Sequence, residues 1–277
     1  YSISASRIYY LDGPSQVRWL TSEGKTGLAT TIPVSGAQQA SFAVSPDDRR
    51  IAVAILSYAN PAVPSGTQGL AQQPKYLGMR LYVGDLSGAH QVDIFSSTTM
   101  AEFPVGWHAG DLVIGVGNPF CCQSLPPNPY AVGTYHVVDP TTGNRLATIC
   151  SGPSYSIGPP VGAGTICYEA TNGSLAFESW DGVRRTIRHS GIVDDGALSP
   201  RGDALAIGGN QVTVLDLNGN LLQSLSGVAV VLGWLQPGYL LVTDTSGAQW
   251  QLVDLRAALD KGLPGAAKPL PGRGGQF

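Results

Sequence analysis

The sequence predicts an all-β protein organised as a β-propeller of six blades, each made of four antiparallel strands. Three observations predict it. Of 277 residues, 36 are glycine and 20 are proline, only 13% are charged, and no long Ala/Glu/Lys/Leu stretch has helical period. Frequent turns and short elements follow from that balance. A unit also recurs along the chain: an alternating apolar run, then Asp or another polar residue, then a turn. Finally, further short apolar runs flank each copy, which brings the count to about four strands per repeat.

The recurring unit is clearest as "LYVGDLSGA" at 81–89, "YHVVDPTTG" at 135–143, "VTVLDLNGN" at 212–220 and "WQLVDLRAA" at 250–258. Weaker copies are "VRWLTSEGK" at 17–25 and "LAFESWDGV" at 175–183. A second strand precedes each copy, at 7–12, 50–55, 111–116, 165–170, 204–209 and 239–244. A further element ending in a turn lies before five of these: "FAVSPDD" at 42–48, "FPVGWHAGD" at 103–111, 154–160, "GALSPRGD" at 196–203 and "VVLGWLQPG" at 230–238. A fourth strand follows the first five copies, near 28–34, 90–95, 145–150, 184–189 and 220–225. The first blade thus lacks an inner strand and the last an outer one, and residues 1–5, "YSISA", suit either place. Residues 254–262 suit one or two helical turns. The Gly/Pro-rich stretch 261–277 reads as a tail or linker after a single propeller domain over 1–260.

The turns "SPDDRRIAVA" and "SPRGDALAI", each followed by an apolar-x-D-L-x-G strand, resemble the TolB-like (WD40-like) propeller repeat. The resemblance spans about 7–260 and implies the propeller fold. It says almost nothing about function. The Trp usual before S-P in that family is Val44 in one copy and Leu198 in the other.

Strands that alternate in direction send their second-to-third connections to the same face as the blade-to-blade connections. Two of those connections are long, 56–79 in blade 2 and 117–133 in blade 3, against "TNG" and "GN" in blades 4 and 5. Loops of that length in a compact domain are usually functional or disordered. Within them Tyr58, Tyr76, Phe120 and Tyr130 are the candidate contact residues for a protein or glycan ligand. The four cysteines, Cys121, Cys122, Cys150 and Cys167, should gather at the blade 3/4 junction. Disulfides joining Cys121 and Cys122 to Cys150 and Cys167 are expected, in either order. A vicinal Cys121–Cys122 bridge with Cys150–Cys167 needs a strained peptide.

Several chemistries find no pattern. Adjacent cysteines are not zinc-knuckle spacing, and no histidine is near them in sequence, so no metal or cofactor is expected. No G-x-S-x-G elbow occurs. His136 alternates with its neighbours on a strand, while His90, His108 and His189 fall at strand ends or turns. The basic run 183–189 alternates as an ordinary solvated strand, and the net charge is −3, so nucleic acid is not an expected partner. Trp107 and Trp234 occupy equivalent "GW" positions and read as blade-packing residues. Asn172 opens the one N-x-S/T sequon.

An enzyme alternative rests on carboxylates near inner strands, Glu102, Asp194 and Asp195, since glycoside cleavage needs two carboxyl groups roughly 5–10 Å apart. The leading expectation is a non-catalytic, monomeric binding or sensor propeller. It is expected to be extracellular or in the cell envelope, disulfide-bonded, not membrane-spanning and anchored, if at all, upstream. A purely structural or assembly propeller is a further alternative.

Overall fold

Alternation of Val, Ile and Leu with polar residues over five to eight positions forces one face of each run inward, and turn residues end it before a helix can form. The computed structural model describes residues 1–59, 75–117, 132–169, 171–191, 193–236, 238–244, 246–247, 249–261 and 266–269. The chain is all-β, built from the four-stranded antiparallel sheets that serve as β-propeller blades. It divides into two compact units, 1–148 and 149–277.

The first unit begins with sheet 1: β1 (Ser2–Ile3), β2 (Ile8–Asp12), β3 (Gln16–Leu20) and β4 (Thr26–Thr31). Ser2 pairs with Tyr9 and Ile3 with Ile8, so the N-terminal segment supplies the missing first strand of this sheet. Sheet 2 holds β5 (Gln38–Val44), β6 (Arg50–Ala59), β7 (Lys75–Asp85) and β8 (Val92–Ser97). Sheet 3 holds β9 (Ala101–His108), β10 (Asp111–Gly117), β11 (Thr134–Val138) and β12 (Arg145–Ile149). Tyr9 and Val17 of sheet 1, with Ile32 just after it, pack against Phe42, Val44, Ile51, Val53 and Tyr82 of sheet 2. Each such side chain contributes about 1.5–3 kcal/mol by leaving water.

The second unit holds sheet 4, with β13 (Ser154–Val161), β14 (Gly164–Glu169), β15 (Ser174–Ser179) and β16 (Arg184–Ile187). Sheet 5 has β17 (Asp195–Leu198), β18 (Ala204–Gly208), β19 (Val212–Asp216) and β20 (Leu221–Leu225). Sheet 6 has β21 (Val230–Gln236), β22 (Tyr239–Thr243), β23 (Trp250–Asp254) and β24 (Ala266–Pro269), with helix α1 (Arg256–Lys261) between the last two. The Gly/Pro-rich C-terminal stretch therefore lends an outer strand, with Val253 paired to Ala267. Ile166, Leu175 and Ile187 pack on Leu198, Leu205 and Ile207. Val212 and Val214 pack with Val242, Val253 and Ala258.

The repeated residues have repeated jobs. Ser45 and Ser199, in the two S-P turns, are almost fully buried. Each hydroxyl accepts a turn-closing N–H, from Arg50 at 2.9 Å and from Ala204 at 3.1 Å. Each also donates to a turn carboxylate, Asp47 or Asp203, at 2.6 Å. The Asp that ends the third strand caps the next turn: Asp139 accepts from the N–H groups of Thr141 and Thr142, Asp216 from those of Asn218 and Asn220. Such local bonds compete with the strand ladder and end it there.

The two "GW" tryptophans cross between sheets. Trp107 Nε1 donates to the Ala43 carbonyl at 3.2 Å, and Trp234 Nε1 to the Ala197 carbonyl at 3.0 Å. Both acceptors lie two residues before the buried serine of an S-P turn. Each indole thus hydrogen-bonds the first strand of the preceding sheet. Trp107→Phe and Trp234→Phe each remove the bond while keeping an aromatic ring, and each is expected to cost about 1–2 kcal/mol. Urea denaturation of the two variants measures it, and an unchanged midpoint in both would show that the indole bond is not structural.

Candidate functional site

The site is built on the long hairpin of sheet 2. β6 and β7 run past the ends of their neighbours, to Ala59 and from Lys75, so strand pairing takes in both ends of what the sequence suggested was loop. At its far end Tyr58 pairs with Tyr76, with ring centroids 5.8 Å apart in an edge-to-face contact. Neither tyrosine is exposed: their fractional exposures are 8% and 5%. The expectation that they present themselves to a ligand is corrected; they are the packed base on which 60–74 is carried. Phe120, Tyr130, Cys121 and Cys122 lie outside the described residues.

Tyr76 also fixes where sheet 3 begins. Its hydroxyl donates to the Met100 carbonyl at 2.7 Å, and the next residue, Ala101, pairs with Gly117. Residue 117 is where the second long connection leaves. The two connections, after Ala59 and after Gly117, therefore emerge at one edge of the first unit.

An open groove of about 690 Å³ lies beside them on sheet 2. Gln38, Ser57, Arg80, Ser96, Ser97, Thr98 and Thr99 supply its polar lining, and Pro33, Leu77 and Met79 the apolar part. Gly78 helps form its wall with φ +151°, and a Cβ there would lie 3.0 Å from the Ser97 carbonyl. Gln38 Nε2 donates to Ser57 Oγ at 3.1 Å, which leaves the serine proton for a ligand. Arg80 pairs through Nε with Asp93 and stacks over Tyr82, which orients the guanidinium. The groove thus offers hydroxyl, amide and guanidinium donors beside an exposed leucine, a lining suited to recognition.

Glu102 and His136 form a second, enclosed feature. On β10, Ile114 stands opposite His136 and Val116 opposite Glu102. Both side chains therefore project from one face, and Glu102 Oε1 lies 3.5 Å from His136 Nδ1. They are 5% and 6% exposed and line a cavity of about 80 Å³ with Ile94, Phe95, Ile114 and Val138, and with Arg145 exposed at its rim. That volume and polarity suit a few ordered waters. The sequence signal for His136 was its strand alternation with Tyr135 and Val137; its acidic partner is set by register.

The other candidate carboxylates are placed differently. Asp194 is exposed. Asp195 Oδ1 accepts the Val231 N–H at 3.2 Å and so joins the first strands of sheets 5 and 6. Burial raises its carboxyl above the usual range, against the pull of that bond and with help from Asp194. Asp195 and Glu102 sit in different units.

Cys150 is bonded to Cys167. This overturns the expected links from Cys121 and Cys122 to that pair. Cys150 has φ +54°, and its N–H donates to Glu178 Oε2 at 2.8 Å. Glu178 is buried and also meets the Arg184 guanidinium. The cluster of Cys150, Cys167 and Glu178 has the donor types of a metal site. With both sulfurs in a disulfide, it does not offer the thiolates such a site needs.

No protein-family model matches the chain, and no curated protein matches it. Among solved structures it is similar to the oligogalacturonate lyase of Vibrio parahaemolyticus, with TM-score 0.53 and 10% identity over 96% of this chain and 74% of that one. It is similar to the acylaminoacyl peptidase of Pyrococcus horikoshii, with TM-score 0.56 and 12% identity over 97% of this chain and 43% of that one. It thus spans less than half of the peptidase. It is also similar to BamB of Moraxella catarrhalis, with TM-score 0.47, 14% identity and coverage of 98% and 76%. Likeness at such identity speaks for the β-propeller fold alone. No described helix is long and apolar enough to cross a membrane.

Two predictions follow from these contacts. Glu102→Ala and His136→Ala should each cost about 2–4 kcal/mol, because each leaves a buried polar partner. The double variant should cost less than their sum, by about 1–3 kcal/mol. Additive losses in urea denaturation would show that the two side chains are uncoupled. Burial, reinforced by Tyr58, pushes the Tyr76 phenol up to about 12. Its neutral form is favoured in the folded state, so the stability it confers is complete below pH 10 and lost as pH rises towards 12. Tyr76→Phe should therefore melt lower at pH 8 and lose less between pH 10 and 12 than the parent; parallel melting curves would refute the assignment.

Proposed function

We propose that the protein is a non-catalytic binding or sensor propeller, exported to the cell envelope or outside the cell, which recognises a protein or glycan ligand. The observation that carries this reading is the convergence at one edge of the first unit. Two long connections leave there, beside a solvent-open groove lined with hydroxyls, an amide and an oriented arginine. Loops held on a packed scaffold are where such modules place specificity. The buried Tyr58–Tyr76 pair supports the reading, because it braces the base of the first connection. The Cys150–Cys167 bond suits an oxidising compartment. The two S-P turns support kinship with TolB-like repeats.

A second reading, a carbohydrate-active enzyme, draws on Glu102 paired with His136 beside a cavity. The other two carboxylates do not strengthen it. Asp195 is already engaged with Val231, and Asp194 is exposed.

The test compares three forms of the chain as bait in envelope extract and on a glycan array. They are the parent, a form with 62–74 replaced by a short Gly-Ser turn, and Arg80→Ala/Ser96→Trp in the groove. The expected outcome is a ligand retained by the parent and lost by both variants, with circular dichroism unchanged. A ligand held equally by all three would overturn the assignment of this edge. Turnover of a glycan that Glu102→Gln abolishes would favour the enzyme.

A further inference from the structure

The second unit carries a cleft that the reading above does not use. It lies at the end of β16, between the β14–β15 turn and the turn that precedes β20, and has a volume of about 550 Å³. Asn172, Ser174, Arg188, His189, Ser190 and Gly219 are among its lining, which includes no carboxylate among the described residues. We propose that this cleft binds a tetrahedral oxyanion, the phosphate or sulfate group of an acidic ligand.

The charges of the run 184–188 have different fates. Arg184 stands opposite Glu178 in the β15–β16 ladder and meets its carboxylate. Arg185 turns to the Asn218 side chain. Arg188 forms no ion pair among the described residues and lines the cleft. Sequence alternation put Arg184 and Arg188 on one strand face; the structure gives one to a buried acid and the other to solvent.

The backbone holds Arg188 in place. Gly219 has φ +84°, and a Cβ there would lie 2.2 Å from the Arg188 carbonyl oxygen. Only glycine lets that turn seat directly on the Arg188 main chain. Asn172 is oriented as well: its Oδ1 accepts the Ser174 N–H at 2.9 Å, and its amide donates towards the Glu169 carboxylate. The nearest acid, Glu169, is occupied by the hydroxyls of Thr171 at 2.8 Å and Ser174 at 3.4 Å. What faces the cleft is therefore the Arg188 guanidinium and the Ser190 hydroxyl, beside the Asn172 and Ser174 side chains. Such a donor set, with the planar fork of arginine, complements an oxyanion.

A bland account also exists. β16 is an edge strand, and exposed arginines there keep edges from pairing with other chains. That role needs charge anywhere along the edge and treats Arg185 and Arg188 alike. Oxyanion binding needs Arg188 alone, which gives the test its contrast.

Inorganic phosphate and inorganic sulfate are titrated into the intact chain, with chloride at matched ionic strength as control, and followed by amide and arginine side-chain NMR shifts. The expected result is saturable shifts at 172–174 and 188–190 with phosphate or sulfate and none with chloride. Arg188→Ala should weaken binding about tenfold, the loss of one charge-assisted bond, and Arg185→Ala by less than about twofold. Competition by polyphosphate against a sulfated polysaccharide then separates the two sources of the group. Equal shifts with chloride, or equal losses in the two arginine variants, would overturn the proposal. Arg188→Lys, which keeps charge without the fork, should bind between parent and Ala; full affinity in the lysine variant would also count against the geometry proposed.

Discussion

A four-stranded sheet with two apolar faces cannot stand alone in water; it must be covered by the next one, in a fixed register. The indole bond to a neighbour's first strand supplies that register. Trp107 reaches the Ala43 carbonyl and Trp234 the Ala197 carbonyl, each beside the buried serine of an S-P turn. Apolar burial provides most of the energy but no direction. A directional N–H to one named carbonyl sets how far one sheet slides along the other. Arg50, over the Trp107 ring at 4.7 Å, and the packing of Trp234 into the core around Val242 hold each ring at its task.

Once sheets 2 and 3 are set, the edge from which the two long connections leave follows. The Tyr76 hydroxyl reaches Met100 only because β9 starts where the register puts it, and Gly117 pairs with Ala101 for the same reason. The long connections can then vary in sequence without disturbing the sheets below, since their bases are closed by ladder pairs and by the Tyr58–Tyr76 contact. Added loop length costs little once the ends are fixed.

Much of this was legible because strands declare themselves by a period of two. The S-P turns and the Asp-capped turns mark where each strand stops, and the structure places strands within a few residues of the expected positions. Tyr58 and Tyr76 were misjudged because aromatics bordered by Pro, Gln and Gly look like loop. Yet Tyr58 continues the Leu56 alternation, and pairing across the hairpin buries both rings. The cysteine pairing was misjudged because four cysteines admit three connectivities and proximity in space, not spacing, selects one. Glu178 was missed although a trace existed: it lies as far before Asp181 in the "WDG" turn as Arg184 lies after it, which makes them cross-strand partners. Glu102 and His136 left no such trace, since two separate registers bring them together.

The use of charge separates the turns and sheet junctions from the groove and the cleft. In a chain with few charged residues, several of the described carboxylates are committed to the fold: Asp47, Asp139, Asp203 and Asp216 to turns, Asp195 to a neighbouring strand, Glu178 to a backbone N–H. A carboxylate accepts hydrogen bonds well and suits the orphan N–H groups of turns. Donors stand at the surface beside them: Ser57, Ser96, Thr98 and Arg80 at the groove, Arg188 and Ser190 at the cleft. On the binding reading proposed above, those donors suit ligands rich in acceptors, as hydroxylated rings, peptide carbonyls and oxyanions are.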